Sequence, residues 1–375
     1  MNFTYNIPTK IHFGPGELAK LATEKLPGSK ALIVISSGKS MRKYGYLDSV
    51  TSLLEQNNTE YVVFDKILPN PILKHVMEGA AMAKDKGCDF IIGLGGGSSI
   101  DSAKSIAIMV NNPGNYWDYI FGGTGGEKPV TKKVLPIIAI TTTAGTGTEA
   151  DPWTVITHEE RNEKIGFGLI PQTFPVLSIV DPELMLSVPP SLTAFQGFDA
   201  FFHAAEGVLA KIATPVSDAY ALKSIELLNK YLPIAINDGA NLEARTQVAL
   251  ANTLSGFVES TSSCTSEHSM EHAMSAFYPE LPHGAGLIML SESYFSFFAD
   301  KVPERLIKMA QAMGIKKSNI SPMDFIDGLL AFQEKCNVAS LKMSDYGIKP
   351  ADIPSLADNA LETMGGLFTV DPYAL

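Results

Sequence analysis

The first half of the chain is organised by five short apolar runs rich in β-branched residues, and they leave few architectures open to it. They are 31–36 (ALIVIS), 61–64 (YVVF), 90–95 (FIIGLG), 135–142 (LPIIAITT) and 176–181 (VLSIVD). Between them lie stretches of helical character such as 40–54 and 70–86. Strands that are apolar along their whole length and separated by helices predict a parallel sheet covered on both faces. Ligands of such sheets gather at the carboxyl ends of the strands. The pattern changes near Asp181. Prolines cluster at Pro182, Pro189 and Pro190, and beyond Ser191 no convincing strand remains. The segments 191–210, 216–232, 244–277, 303–313, 322–336 and 353–364 read as helices. We therefore expect an α/β domain over 1–185 and an all-helical domain over 186–375.

Two domains also suit the length of 375 residues better than one core. With 29 Lys and Arg against 40 Asp and Glu, the net charge is −11 and no basic run occurs, which argues against a nucleic-acid surface. The opening Met1-Asn2-Phe3-Thr4 lacks the charged and apolar regions of a signal peptide. No window approaches the ~20 apolar residues of a membrane span. Cys88, Cys264 and Cys336 form no CxxC pair and are odd in number, so thiols in a reducing cytoplasm are expected.

The run FIIGLG leads into GGGSSIDSAK. Consecutive glycines let a backbone approach a ligand closely, and a helix starting at Ser98 or Ser99 would offer unpaired N–H groups to a phosphate. The pattern is neither GxGxxG after a first strand nor a Walker sequence. A second loop, TTTAGTGTEA over 141–150, also follows a strand. Two such loops at the ends of parallel strands favour a dinucleotide site over an ordinary tight turn.

Metal-type donors concentrate in the second half. Asp199 and His203 are four apart, as are His268 and His272, and His283 follows; four of the chain's seven histidines are here. Residues four apart share one helix face. One carboxylate and imidazoles from this set suit Fe²⁺ or Zn²⁺ with an open position that polarises an alcohol or carbonyl oxygen. Spacing alone leaves His268 and His272 equally eligible. From Gln247 through Asp300 there is no Lys or Arg, so this segment offers no cation to a phosphorylated or carboxylated substrate. A small neutral alcohol, aldehyde or ketone is expected.

GGGSSIDSAK, TTAGTGTE, GFDAFFHAAEG and HxxxHxMxAF followed by LPHG resemble the iron-containing, or group III, alcohol dehydrogenases. The likeness runs from NFTYNIPTKIHFGPG nearly to MGGLFTVDP. It implies a Rossmann-like N-terminal dinucleotide-binding domain, an all-α C-terminal metal-binding domain and a cleft between them, an architecture shared with dehydroquinate synthase. It maps the metal ligands onto Asp199, His203, His268 and His283, with Fe²⁺ first and Zn²⁺ second. His272 then matches a further histidine close to the nicotinamide that assists proton movement. Gly96, Gly97 and Ser98 match pyrophosphate contacts, and Asp101, Thr142, Thr146 and Lys164 match other cofactor positions. Similar chains are commonly dimers or larger, so a homo-oligomer is expected.

Members of the family that prefer NAD often carry an acidic residue just after the strand matching ALIVIS. Here the segment is Ser36-Ser37-Gly38-Lys39-Ser40. Gly38 leaves room, Lys39 supplies positive charge and Ser40 a hydrogen bond, so NADP(H) is expected to be preferred over NAD(H). Many relatives read HGxAN after the last ligand, whereas this chain has His283-Gly284-Ala285-Gly286-Leu287. The chain ends at Leu375, soon after the Asp371-Pro372 motif, where relatives often continue, so a short or absent final helix is expected. The competing readings are a dehydroquinate synthase-like lyase and a non-enzymatic metal- or nucleotide-binding protein.

Overall fold

A computed structural model describes every residue except Met1. In chain order the regular elements are β1 (Lys10–Phe13), β2 (Lys30–Ser36), α1 (Ser40–Lys43), α2 (Tyr46–Gln56), β3 (Glu60–Ile67), α3 (Leu73–Lys86), β4 (Phe90–Gly95), α4 (Gly97–Met109), β5 (Ile137–Thr141), β6 (Trp153–His158), β7 (Glu163–Gly168) and β8 (Leu177–Val180). Eight helices follow: α5 (Pro190–Leu209), α6 (Pro215–Asn237), α7 (Leu242–Thr261), α8 (Ser266–Phe277), α9 (His283–Phe298), α10 (Pro303–Ala312), α11 (Met323–Lys335) and α12 (Ile353–Met364). One compact unit comprises Ile7–Thr143 and Thr148–Ser187. The other comprises Val188–Leu375, the short segment Ala144–Gly147 and the stretch ending at Asn6. No helix among the described residues is long and apolar enough to cross a membrane.

The first unit is built on a six-stranded, wholly parallel sheet in the order β1-β8-β5-β4-β2-β3. The five apolar runs of the sequence supply five of its strands, and residues of β2, β4 and β5 are buried along nearly their whole length. Ile33, Ile92, Ile138 and Ile179 meet Val50, Leu54 and Leu21 in its core. Two features escape the pattern. The edge strand β1 is only KIHF, too short and mixed to read. The segment 153–168 forms an antiparallel hairpin of β6 and β7, turning through Asn162 at φ 51. The expected helix over 40–54 is interrupted at Gly45, whose φ of 73 lies in the left-handed region.

The second unit is helical, with α5 at its centre. Fifteen residues of α5 are buried, and Phe198, Phe201 and Phe202 pack with Phe295, Phe325 and Phe332 from later helices. The single helix expected over 244–277 is two helices. Between them, Ser262 donates through Oγ to the carbonyl of Gly207, and Thr265 donates through both N and Oγ1 to Glu206. These polar side chains take over the backbone's bonding and end α7 before α8 begins. His283, outside every segment read as a helix, opens the sixteen-residue helix α9.

Gly93 on β4 lies under a close approach of helix α4 to the sheet. A methyl group there would lie 2.8 Å from Cα of Ile100 and 3.1 Å from Cβ of Ala103, both on α4. Gly93→Ala is expected to destabilise the protein by about 1–3 kcal/mol through overpacking. Urea unfolding checks this: the midpoint should fall with an unchanged slope, and an unshifted midpoint would count against the close packing of α4.

Candidate active site

Three helices of the second unit build one polar cluster inside an apolar surround. α5 presents Asp199 and His203 on one face, α8 supplies His268, and α9 begins at His283. The Nε2 atoms of His203, His268 and His283 lie 3.5, 3.6 and 3.3 Å from Oδ1 of Asp199. The cluster is buried except at His283, whose side chain is 23% exposed and gives it one open edge. Oδ1 of Asp199 and Nε2 of His268 are buried with no hydrogen-bond partner. Unpartnered buried lone pairs carry a desolvation cost that a cation removes. One carboxylate and three imidazoles closing on a common point therefore fit a divalent first-row ion.

Spacing could not choose between His268 and His272. In the fold, His268 groups with Asp199 and His283, whereas His272 groups with Glu271 and His283. Nδ1 of His272 lies 2.9 Å from Sδ of Met364, and its ring centre is 5.3 Å from that of His283.

The electrostatics follow from burial opposed by charge. Burial alone would raise the Asp199 carboxyl, but His203, His283 and His268 outweigh it and hold that group well below the usual carboxylate range. Burial pushes His203 down to about 4. It would lower His268 as well, but Cys264, Glu206 and Asp199 outweigh it and raise that imidazole. Burial also raises the Cys264 thiol above its ordinary range.

Behind the imidazoles stand glutamates that the sequence reading missed. Nδ1 of His268 donates to Glu206, and Nδ1 of His283 donates to Glu271. Nδ1 of His203 lies 3.3 Å from the carbonyl of Gly145 and 3.5 Å from Oε1 of Glu259. A carboxylate can only accept, so in the two direct pairs Nδ1 carries a proton and Nε2 is the nitrogen turned toward Asp199. A signal for Glu206 was present. It follows Asp199 by seven residues and His203 by three, on the same helical face.

The glycine turn and the first residues of the second loop, Thr141–Thr143, lie in the first unit at the carboxyl ends of adjacent strands. Gly95 pairs with Thr141, and Thr142 N donates to the Gly95 carbonyl at 2.9 Å. Gly96 caps α4, so the amides of Gly97 and Ser98 open a thirteen-residue helix in its first turn, where intrahelical acceptors are lacking. A Cβ at Gly96 would come 2.9 Å from Oγ1 of Thr143, so the cradle has room for backbone only. This geometry fits a pyrophosphate. Ser98 Oγ donates to the carbonyl of Pro69, which ties the loop after β3 to the glycine turn.

Gly38 and Lys39 are exposed and Ser40 is half-buried, just past the end of β2, the strand next to β4. Lys164 is buried on β7, paired with Thr157. Thr146 belongs to the segment Ala144–Gly147, which is part of the helical unit. The carboxylate of Asp101 is engaged within the protein, accepting from Oγ1 of Thr148 at 2.7 Å and from Val155 N at 2.9 Å.

Lys104, three residues further along α4, also escaped the sequence reading. It is fully buried and donates to Thr148 Oγ1 (2.6 Å), the carbonyl and Oδ1 of Asp151 (3.0 and 3.1 Å) and the carbonyl of Trp153 (2.6 Å). Burial pushes the Asp151 carboxyl up to about 7 while Lys104 pulls against it. One ammonium thus fastens α4, which begins at the glycine turn, to the segment 148–153. Its signal was a lone lysine within the otherwise uncharged stretch SAKSIAIM.

The iron-containing alcohol dehydrogenase profile matches residues 8–182, and the C-terminal profile of the Fe-containing alcohol dehydrogenase family matches residues 193–371. The chain is 34% identical over 365 residues to choline dehydrogenase of Bacillus subtilis (strain 168), covering 96% of this chain and 89% of that protein. It is 34% identical over 366 residues to alcohol dehydrogenase 4 of Schizosaccharomyces pombe (strain 972 / ATCC 24843), covering 96% and 84%. The crystal structure of the archaeal halo-thermophilic Red Sea brine pool alcohol dehydrogenase ADH/D1 superposes with a TM-score of 0.95 at 34% identity, covering 100% of this chain and 96% of that one. The chain belongs to the iron-containing alcohol dehydrogenase family and is an oxidoreductase of the alcohol dehydrogenase type. These likenesses do not favour the lyase or the non-enzymatic reading.

Lys104→Met is expected to cost about 3–5 kcal/mol, because it leaves Asp151 buried without its counter-charge. Thermal unfolding of the purified variant checks this, and an unchanged midpoint would remove Lys104 from the account.

Proposed function

We propose that the protein catalyses reversible hydride transfer between a nicotinamide cofactor and a small neutral alcohol, diol or aldehyde. One observation carries the reading: three imidazole nitrogens close on a buried aspartate oxygen at 3.3–3.6 Å. Asp199, His203, His268 and His283 hold the divalent ion, with Fe²⁺ first and Zn²⁺ second. When bound, the ion supplies Lewis acidity toward the substrate oxygen and the nicotinamide supplies the hydride acceptor or donor.

The chain's own residues bind and orient. The first-turn amides of α4 and the backbone at Gly96 receive the pyrophosphate, with Asp101, Thr142, Thr146 and Lys164 at further cofactor positions. His272 connects the alcohol proton to solvent through water or cofactor hydroxyls. The absence of Lys and Arg from Gln247 through Asp300 supports an uncharged or cationic substrate over an anionic one. Curated relatives named 1,3-propanediol dehydrogenase and lactaldehyde reductase act on small molecules of this kind. Three free thiols support a reducing compartment such as the cytoplasm, and similarity to family members supports a homo-oligomer.

NADP(H) is the preferred cofactor. The residues after β2 include no carboxylate to repel a 2′-phosphate, and Lys39 adds positive charge. A Cβ at Gly38 would meet only Ser36 Oγ at 3.7 Å, so a side chain fits there. Gly38→Asp is therefore expected to shift the ratio of kcat/KM for NADP over NAD toward NAD by at least about tenfold, the effect of ~1.4 kcal/mol. An unchanged ratio rejects the roles of Lys39 and Ser40. His268→Ala should lose bound metal and turnover together, and full turnover with stoichiometric metal would remove His268 from the ligand set.

A further inference from the structure

We infer that Glu271, lodged in space opened by Gly286, is a positioning residue that holds His283 for metal binding. The inference rests on the reading that a metal ion sits at Asp199. Glu271 lies on α8, between His268 and His272 in sequence, and is fully buried. Its Oε2 accepts from Nδ1 of His283. His283 is the most exposed of the four proposed ligands and opens its helix, so it has the least packing to fix its ring.

The space for Glu271 comes from a departure in this chain's own sequence. Chains that read HGxAN carry an alanine methyl at the position held here by Gly286. A Cβ on Gly286 would lie 2.7 Å from Cγ of Glu271 and 3.0 Å from its Oε1. The methyl and this carboxylate placement exclude one another. Gly286 has no positive φ, so alanine suits its backbone and raises helix propensity; the conflict is with the Glu271 side chain alone.

Glu271 does two things to His283. It fixes the tautomer that presents Nε2 toward Asp199, and its charge makes that nitrogen a stronger donor. Glu206 does the same for His268, and Glu259 stands 3.5 Å from Nδ1 of His203. The pair of Glu271 and Gly286 sets the His283 arm of this arrangement.

The test uses the full chain, stripped of metal and titrated with Co²⁺ against a chelator, with the visible Co²⁺ absorption as a second readout. Glutamine at 271 keeps the size and an acceptor oxygen but removes the charge. Glu271→Gln should weaken Co²⁺ binding about 10–100-fold and shift the absorption bands, with the melting temperature of the metal-free protein unchanged. Gly286→Ala should bring a comparable loss, whereas adding it to Glu271→Ala should bring none. Glu271→Gln and Gly286→Ala both binding Co²⁺ as tightly as the wild type would overturn the inference. If Gly286→Ala fails to fold, the Glu271→Gln titration decides alone. A wild-type chain that takes up no Co²⁺ overturns the metal reading itself, a failure distinct from that of the glutamate.

Discussion

An ionised carboxylate at the centre of a helical core is the constraint around which the second unit is arranged. Asp199 is nearly inaccessible, and a lone buried charge of that kind is expensive. Three imidazoles draw near its Oδ1, and two of those rings donate a hydrogen bond outward to a buried glutamate. The polarity is therefore nested: carboxylate, imidazoles, carboxylates, then phenylalanines. Each layer makes the next tolerable, and the unpartnered Oδ1 of Asp199 leaves a place that fits a cation.

Local chain features follow from this demand. α7 ends at Thr261 and α8 starts at Ser266 because Glu206 captures the donors of Thr265, and the same glutamate then receives His268. The tail takes part as well: Asp371 accepts from Ser266 N at the head of α8, and Met364 lies against His272. The Asp371-Pro372 motif noted in the sequence thus has a structural task, holding the helix that carries two of the histidines. In the sheet unit the corresponding anchor is Lys104, which ties the helix of the glycine turn to the chain beyond β5.

What the sequence revealed and what it concealed divide along physical lines. The strands of the parallel sheet were legible because burial on both faces forces unbroken apolar runs, as in Phe90–Gly95, where the reading and the structure coincide. Helix α12 was legible from its amphipathic period over Ile353–Met364. The edge strand Lys10–Phe13 and the β6–β7 hairpin were not, because these short segments mix polar with apolar residues and present no unbroken apolar run. The break between α7 and α8 depends on Glu206, nearly sixty residues away in sequence, so no local pattern announces it. The choice between His268 and His272 came from resemblance; in the fold His268 stands with Asp199 and His283, and His272 with Glu271 and His283. The glutamates behind the ligands were hidden because a glutamate on a helix ordinarily reads as a solvated side chain.

The central claim is that Asp199, His203, His268 and His283 grip one divalent ion. Anomalous diffraction from crystals of the Co²⁺-loaded full chain, recorded on either side of the cobalt absorption edge, tests it most directly. The account predicts one strong peak within about 2.0–2.2 Å of Nε2 of the three histidines and of a carboxylate oxygen of Asp199. A peak elsewhere, or one lacking any of these four side chains, would contradict it.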